Sequence, residues 1–373
     1  MTRTSQSTHP AWLAAFALAA CSGSTTHEPA ADGASYQLPW PATALPSVTD
    51  PVDNPRSEAK RLLGRTLFYD PLLSADRATA CVTCHSELWG LGDQLPRSVG
   101  IEGKGAIGPG RTGSHLTRRN SPALWNVGLR ETLFWDGRAA TLEEQVFFPL
   151  RDADELARDP DAVLEELQGN ATYVALFREA FPQAEPVVSS ATFAQALATF
   201  VRAYVSKRAP YDQFLAGDAL ALDEQDRRGI ALFAALECDS CHVPPRFDSD
   251  RYANRGVPDP EQLDDAGRFE VTHEAGDHGA FRVPTLRNAR ESGPYFHNGA
   301  VADFRAAVAH EVEQQVAQGV REPLSERELT DLTQFLRRAL TDTSREQHPV
   351  EQVPSGLMVP VDNERLLRGQ VEH

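Results

Sequence analysis

The sequence predicts a mainly α-helical fold made of two domains with long loops. Apolar residues recur at helical spacing, alternating strand patterns are scarce, and the motif Cys-x-x-Cys-His occurs twice, at Cys81–His85 and Cys238–His242. A chain of 373 residues is long enough for two domains that each bury their own core. Since one motif falls in each half, we expect two related halves.

Helical periodicity is clearest in four segments. One begins before Phe193, and another begins at Ser325, where Ser-Glu-Arg-Glu forms a capping box ahead of an apolar stripe that reaches Leu340. Residues 161–181 and 224–236 show similar patterns. Residues 86–121 and 243–280 predict two long loops, which in compact domains are usually functional or disordered.

The composition narrows the class of protein. Hydrophobic content of 41% and charged content of 24% are typical of a globular chain, and no apolar run is long enough to span a bilayer. The formal charge of −17 argues against a nucleic-acid partner, which requires basic patches. The acidity fits small or basic partners, and it also fits a role in solubility alone.

Cys21 stands apart from the four cysteines of the two motifs. An apolar stretch over residues 11–20 precedes it, and Leu-Ala-Ala-Cys resembles the cleavage box of bacterial lipoproteins. We expect residues 1–21 to be a lipoprotein signal peptide and Cys21 to carry a lipid anchor. Because Ser22 follows rather than aspartate, the expected location is the periplasm, anchored to the outer membrane. The alternative is a cleaved secretory peptide without lipid.

Composition shifts divide the rest of the chain. Residues 22–56, rich in Ser, Thr, Ala, Gly and Pro, predict a flexible tether. Residues 57–217 and 218–345 form the two predicted domains, and residues 346–373 form a polar tail.

Each Cys-x-x-Cys-His motif predicts one covalently bound haem c in a c-type-cytochrome-like domain. Two thiols on one helical turn can form thioethers with the haem vinyl groups, and the adjacent histidine can ligate the iron. A zinc site would need further cysteine or histidine ligands at matched spacing, which the sequence lacks. The predicted haem-binding residues are Cys81, Cys84, His85, Cys238, Cys241 and His242, with His85 and His242 as ligands of the haem iron.

The stretches around these motifs resemble the bacterial dihaem cytochrome c peroxidase and MauG family. The matching motifs occur in family order over about residues 57–340, and they are Leu63–Ser74, Arg119–Pro122, Phe134–Ala139, Phe281–Asn288 and Pro294–Gly299. The resemblance implies that the N-terminal haem reacts with hydrogen peroxide. The C-terminal haem would take electrons from a small cytochrome c or cupredoxin donor. Family members are often homodimers, which is analogy only.

The resemblance also implies roles for single residues. Trp135 matches the tryptophan between the haems and is expected to relay electrons, although a simple core tryptophan is the alternative. Gln145, Pro149 and Glu155 match the distal pocket, where Glu155 would move a proton between the peroxide oxygens. A surface role is the alternative for Glu155. Asn120, with the carbonyls of Ser292 and Pro294, matches a calcium site.

The first departure from the family pattern concerns the iron of the N-terminal haem. Many members place a blocking histidine after Ser-x-Gly, where this chain has Ile101, in Ser98–Ile101. Isoleucine cannot ligate iron, and His115 in the same loop is the possible substitute. We expect an open iron that needs no reductive activation.

The second departure concerns the distal ligand of the C-terminal haem. The family places methionine or, in MauG-type enzymes, tyrosine fourteen residues after the histidine that corresponds to His297, which is Glu311 here. The neighbouring His310 is the candidate that chemistry favours, because neutral imidazole binds ferric haem well. Glu311, Met358 and the absence of a ligand remain open.

Three functions therefore fit the sequence. The leading hypothesis is a peroxidase that reduces hydrogen peroxide with electrons from a small redox protein. The second is a MauG-like enzyme that oxidises tryptophan or tyrosine of a partner protein. The third, a non-catalytic electron-transfer cytochrome, is disfavoured because a carrier needs no distal acid–base pocket.

Overall fold

Helices dominate the structure, as the sequence predicts. The computed structural model describes residues 36–344 and 349–362, so Cys21 and the predicted signal peptide lie outside the described residues. The α-helices of this part are α1 (Glu58–Tyr69), α2 (Cys81–Cys84), α3 (Leu142–Gln145), α4 (Phe147–Arg151), α5 (Pro160–Gly169), α6 (Ala171–Ala180), α7 (Ser190–Arg202), α8 (Pro210–Leu215), α9 (Glu224–Ala235), α10 (Phe269–Thr272), α11 (Phe304–Ala317) and α12 (Glu326–Gln334).

One core forms where α1 packs along α7. Ser57 begins α1, because its side chain accepts a hydrogen bond from the Lys60 backbone N–H. A Cβ on Gly64 would lie 2.0 Å from the carbonyl oxygen of Ala196, so glycine is needed for the two helices to approach this closely. Phe68 and Phe200 then meet edge to face with ring centroids 5.2 Å apart.

A second packed group joins α9, α11 and α12. Ser325 caps α12 as predicted, and the helix passes into a π-helical turn over Phe335–Ala339. Phe247 is surrounded edge to face by aromatic rings, which belong to Trp40, Tyr211, Phe233 and Phe335.

Contacts of α8 differ from the predicted domain division. The sequence assigns α8 to the N-terminal domain, but Tyr211 packs on Phe247 and Asp212 pairs with Arg287 at 2.8 Å. The described residues from Gln37 onward form one compact unit, so a division between residues 217 and 218 stays a prediction.

Part of the predicted tether and part of the predicted tail contact the folded body. Trp40 donates its indole N–H to the Tyr211 hydroxyl at 2.8 Å, and Asn54 is buried, unlike the flexible tether predicted over residues 22–56. In the tail, Val353 and Val359 join the core around α1 and α7. Asp362 accepts a hydrogen bond from the Ser86 hydroxyl at 2.7 Å.

The predicted helical pattern over residues 161–181 is confirmed as two helices, α5 and α6. They are divided at Asn170, whose side chain caps α6. Strands β1 (Tyr252–Ala253) and β2 (Phe281–Arg282) form a short antiparallel pair, with Tyr252 opposite Arg282. Within the described residues, no helix has the length and apolar character that a membrane crossing requires.

Candidate active site: two haem cavities

The first haem motif lines a cavity of about 620 Å³, here called the N-terminal cavity. Cys81 and Cys84 begin and end the single turn α2, which leaves both thiols on one side of a turn, and His85 follows directly. The His85 Nδ1 lies 3.0 Å from the carbonyl oxygen of Leu91. A carbonyl only accepts, so Nδ1 carries the proton and Nε2 is left as the metal ligand.

The second motif lines a cavity of about 450 Å³, here called the C-terminal cavity. The Nδ1 atom of His242 lies 3.1 Å from the carbonyl oxygen of Pro284 and 3.3 Å from that of Phe247. Nδ1 is again the donor and Nε2 is again available. Burial lowers the pKa of both histidines, so both are held in the neutral form that binds iron.

The residues present fit a haem c in each cavity. None of the four motif cysteines is in a disulfide, so all are available for thioether bonds. Both cavities have volumes in the range of cofactor sites and are lined mainly by apolar side chains. The neutral histidine in each completes the donor set of a c-type haem.

Glu155 lies in the N-terminal cavity with the first motif. Burial, reinforced by the negative charge of Asp152, raises the pKa of Glu155 to about 7. No described residue forms an ion pair with its carboxylate. A carboxyl group that titrates near neutral pH can both accept and return a proton.

The loop over Ser98–Ile101 contacts the backbone of Glu155 and of its neighbour Asp154. The Ile101 N–H donates to the carbonyl oxygen of Glu155 at 3.0 Å. A Cβ on Gly100 would lie 1.8 Å from the carbonyl oxygen of Asp154, so glycine permits this close approach. The loop therefore helps to fix the backbone that carries the carboxyl group.

Neither Ile101 nor His115 is among the described residues that line the N-terminal cavity. The His115 ring instead lies 3.0 Å from the Asp154 carboxylate, and it lies 3.7 Å from the Glu102 carboxylate. His85 is the one histidine in the described lining. The structure thus does not bring the predicted substitute ligand to the iron position.

Gln145 and Pro149 line the same cavity as Glu155. Gln145 ends α3 and Pro149 lies in α4, and Thr141 caps α3 through the Glu144 N–H. The structure therefore brings together the three distal residues that the family resemblance implies.

Trp135 lines both cavities and is 8% exposed. Its indole N–H donates to the Asn120 carbonyl at 2.8 Å, and its own carbonyl accepts from the Arg282 N–H at 2.7 Å. The following turn needs glycine at Gly137, where φ is +72° and a Cβ would lie 1.7 Å from the Tyr252 hydroxyl. Trp135 is thus held in the wall that the cavities share.

The predicted calcium ligands Asn120, Ser292 and Pro294 all line the C-terminal cavity. The Asn120 side-chain amide donates to the Leu95 carbonyl at 2.9 Å. No cluster of three or more His, Cys, Asp or Glu side chains suited to a metal exists in the described part of the chain. A cation there would depend on amide and carbonyl oxygens, which suit calcium.

The distal position of the C-terminal cavity is where sequence and structure differ most. His310 on α11 does not line the cavity; its Nε2 lies 2.9 Å from the Arg255 carbonyl. Glu311 does line it and pairs with the Arg255 Nε at 2.8 Å. Met358 is 87% exposed. The preference for His310 came from ligand chemistry, whereas the side chain that helix geometry brings to the cavity is Glu311.

Sequence reasoning missed several arginines of the cavity walls, namely Arg130, Arg255 and Arg282. Arg282 lies within the family motif Phe281–Asn288, so the sequence alone could have indicated it. Arg130 and Arg255 carry no local signal, because only the folding of distant segments brings them to the cavities.

The chain is similar to known dihaem proteins. The family model described as di-haem cytochrome c peroxidase matches residues 58–220. The methylamine utilization protein MauG of Methylorubrum extorquens is 34% identical over 86% of this chain and 90% of its own length. The cytochrome c551 peroxidase of Pseudomonas aeruginosa is 36% identical over 70% of this chain and 74% of its own.

A solved structure described as a MauG-like protein associated with microbial copper homeostasis has a TM-score of 0.69 and 29% identity, and the match covers 83% of this chain and 96% of that one. A dihaem peroxidase from Burkholderia thailandensis, 23% identical with a TM-score of 0.65 over 82% of this chain and 91% of its own, shares the fold. Two haem-attachment motifs, two matching cavities and these relatives lead to one assignment: the chain belongs to the dihaem cytochrome c peroxidase and MauG family.

Proposed function

We propose that this protein reduces hydrogen peroxide to water with electrons from a small cytochrome c or cupredoxin. The N-terminal cavity takes the peroxide and the C-terminal cavity receives the electrons. The observation that carries the proposal is Glu155, which lies in the same cavity as His85 and has a pKa of about 7. The balanced reaction takes one peroxide, two electrons and two protons to two water molecules.

A haem bound in each cavity would supply an iron that binds peroxide in the first and passes electrons in the second. The chain's own contribution in the first cavity is proton movement. The Glu155 carboxylate accepts the proton of one peroxide oxygen and returns it to the other oxygen, so that water leaves as the O–O bond breaks. Gln145 and Pro149 restrict where the peroxide can lie.

An open iron position above His85 belongs to this proposal. Its support is that neither Ile101 nor His115 lines the cavity. The oxidised protein should then react with peroxide without prior reduction. If reaction requires one-electron reduction first, another group blocks the iron and this part is wrong.

Electron transfer between the cavities is assigned to Trp135, which lines both. In the C-terminal cavity, Glu311 would be a further ligand of the haem that His242 would hold, because its side chain lines this cavity. Calcium bound by Asn120 and the carbonyls of Ser292 and Pro294 would connect the two cavity walls.

A decisive experiment is rapid mixing of the oxidised protein with peroxide, followed by a reduced small cytochrome. We expect two cytochromes to be oxidised for each peroxide, and Trp135→Phe to slow their oxidation while the first reaction with peroxide keeps its rate. No cytochrome oxidation by the unaltered protein with any small donor would reject the peroxidase.

A second candidate is oxidation of tryptophan or tyrosine on a partner protein. Two observations favour it: Glu311 instead of a methionine lines the C-terminal cavity, and the chain resembles a MauG over most of its length. It predicts that peroxide treatment of the protein with a co-purified partner yields a covalently oxidised partner and no steady turnover of cytochrome. A pure electron carrier would show neither.

Location and assembly complete the proposal. Cys21, outside the described residues, would carry a lipid that holds the protein at the periplasmic face of the outer membrane. Cys21→Ala should release the protein into the soluble periplasmic fraction. A homodimer is proposed by analogy with the family, and sedimentation of the holoprotein would test it.

A further inference from the structure

Arg130 is a buried arginine in the wall between the two cavities. It follows the short turn Val127–Leu129, and its side chain is 4% exposed. It is also one of the few residues that line both cavities. Its Nε lies 3.6 Å from the Asp248 carboxylate, beyond hydrogen-bond distance, and has no hydrogen-bond partner in the described part of the chain. A buried charged donor without an acceptor is costly.

Arg282 on β2 places a second buried positive charge beside the first. It is 1% exposed and lines the C-terminal cavity. Its Nε donates to the Phe134 carbonyl at 3.1 Å and its Nη1 to the Val283 carbonyl at 3.2 Å. Burial, followed by repulsion from Arg130, lowers the pKa of Arg282 to about 9.

The negative charge nearby does not balance this wall. Asp248 is the buried carboxylate closest to Arg130, but it also accepts the Arg246 Nε at 2.6 Å. Arg246 additionally pairs with Asp250 at 3.2 Å. Arg130 and Arg246 therefore use the two carboxylates, and the buried charge of Arg282 has no ion pair in the described part of the chain. A buried charge is stable when an ion of opposite charge pairs with it.

We infer that Arg130 and Arg282 form a carboxylate-binding site in the shared wall, and that its ligand is a propionate group of bound haem. The planar fork of a guanidinium binds a carboxylate with two hydrogen bonds, so a propionate would give Arg130 the close partner that Asp248, at 3.6 Å, does not provide. The inference rests on the proposed function only in that the cavities hold haem.

One functional consequence follows from the position of Arg130 in both linings. A fixed positive charge in a region of low dielectric favours the reduced, more electron-rich form of a nearby haem. Arg130 therefore acts as a positioning residue whose charge raises the reduction potentials of both haems. Removing it should lower both potentials, whereas a purely structural role would leave them unchanged.

The test is a potentiometric titration of the dihaem protein, followed by absorption spectra, for the unaltered chain and for Arg130→Gln. We expect both midpoint potentials to fall and the propionate bending bands of the resonance Raman spectrum to shift. Arg130→Lys keeps the charge and should restore most of the potential without restoring the Raman bands. This variant also keeps the test decisive if Arg130→Gln fails to fold.

The matched control is Arg246→Gln. Arg246 pairs with the same Asp248 but lines neither cavity, so its removal should lower both potentials clearly less than Arg130→Gln does. Unchanged potentials in Arg130→Gln, or an equal fall in Arg246→Gln, would overturn the inference.

A free anion would be a different ligand for the same site. If chloride and phosphate at equal ionic strength give different potentials in the unaltered protein, a free anion occupies the site and the propionate assignment is wrong. None of these measurements uses peroxide. A protein that fails the peroxide assay can therefore still pass this test, and the reverse also holds.

Discussion

Glu155 of the N-terminal cavity and Glu311 of the C-terminal cavity differ in their surroundings. Glu155 lies in the N-terminal cavity without an ion pair to any described residue, and burial raises its pKa to about 7. Glu311 lies in the C-terminal cavity and is paired with Arg255 at 2.8 Å. The same type of side chain is thus buried without an ion pair in one cavity and paired with an arginine in the other.

The difference between these glutamates indicates how one chain can separate proton transfer from electron transfer. Proton transfer needs a carboxyl group whose two protonation states are close in free energy, which burial without a partner provides. Electron transfer needs a haem whose surroundings change little on oxidation, which ion pairs and fixed ligands provide. The wall with Trp135 and Arg130 belongs to both cavities and is where the two functions meet.

The largest effect is expected from removing the proton acceptor of the N-terminal cavity. Glu155→Gln keeps the shape of the side chain but cannot accept the proton, so the reaction of the oxidised protein with peroxide should slow by about 10²–10⁴-fold. Stopped-flow absorption spectroscopy measures this rate. The matched control is Asp154→Asn, a neighbouring carboxylate that does not line the cavity and should change the rate little. An unaltered rate in Glu155→Gln would remove Glu155 from the mechanism.

The pH dependence tests the same group without mutation. The deprotonated form of Glu155 is the base, so the peroxide rate should rise about tenfold per pH unit below its pKa of about 7 and level off above it. The Glu155→Gln protein should show no such rise. A rise with a midpoint near the ordinary pKa of an exposed carboxyl would contradict the effect of burial.

Glu311→Gln should change the C-terminal haem alone. Loss of the anionic oxygen should alter the electron paramagnetic resonance signal of the haem that His242 holds, while the peroxide rate at the other haem stays within about twofold. His310→Gln is the control, since His310 does not line the cavity. If His310→Gln changes the signal and Glu311→Gln does not, His310 is the ligand and the helix must rotate when haem binds.

The smallest effect concerns the tail, in which Asp362 contacts the residue that follows the first haem motif. Asp362→Ala removes the hydrogen bond from Ser86, the residue after His85, and should lower the free energy of unfolding by about 1 kcal/mol. Thermal unfolding of the holoprotein measures this change. A change in the potential of the C-terminal haem would show that the tail acts more widely than its contacts indicate.

The helices show which parts of the secondary structure can be predicted from the spacing of apolar residues. The prediction of α9 over residues 224–236 and the cap at Ser325 are confirmed, because apolar spacing and capping are local properties. The helical pattern over residues 161–181 is confirmed, but two helices form it, because Asn170 offers its side chain to the next turn and begins α6. Residues 36–56 look like a linker by composition, yet Trp40 contacts an aromatic cluster assembled from distant segments.

By itself the sequence determined the family, the mainly helical fold and the two histidines with their cysteines, because a haem-attachment motif is local chemistry within five consecutive residues. Through the family resemblance it also predicted roles for Glu155, Gln145 and Trp135, and these roles stay predictions. Only the tertiary structure decided that Glu311 rather than His310 lines the second cavity, that His115 stays out of the first, and that Arg130 lines both. The reason is physical: burial, pKa and the choice of ion-pair partner depend on segments far apart in the chain, which meet only after folding.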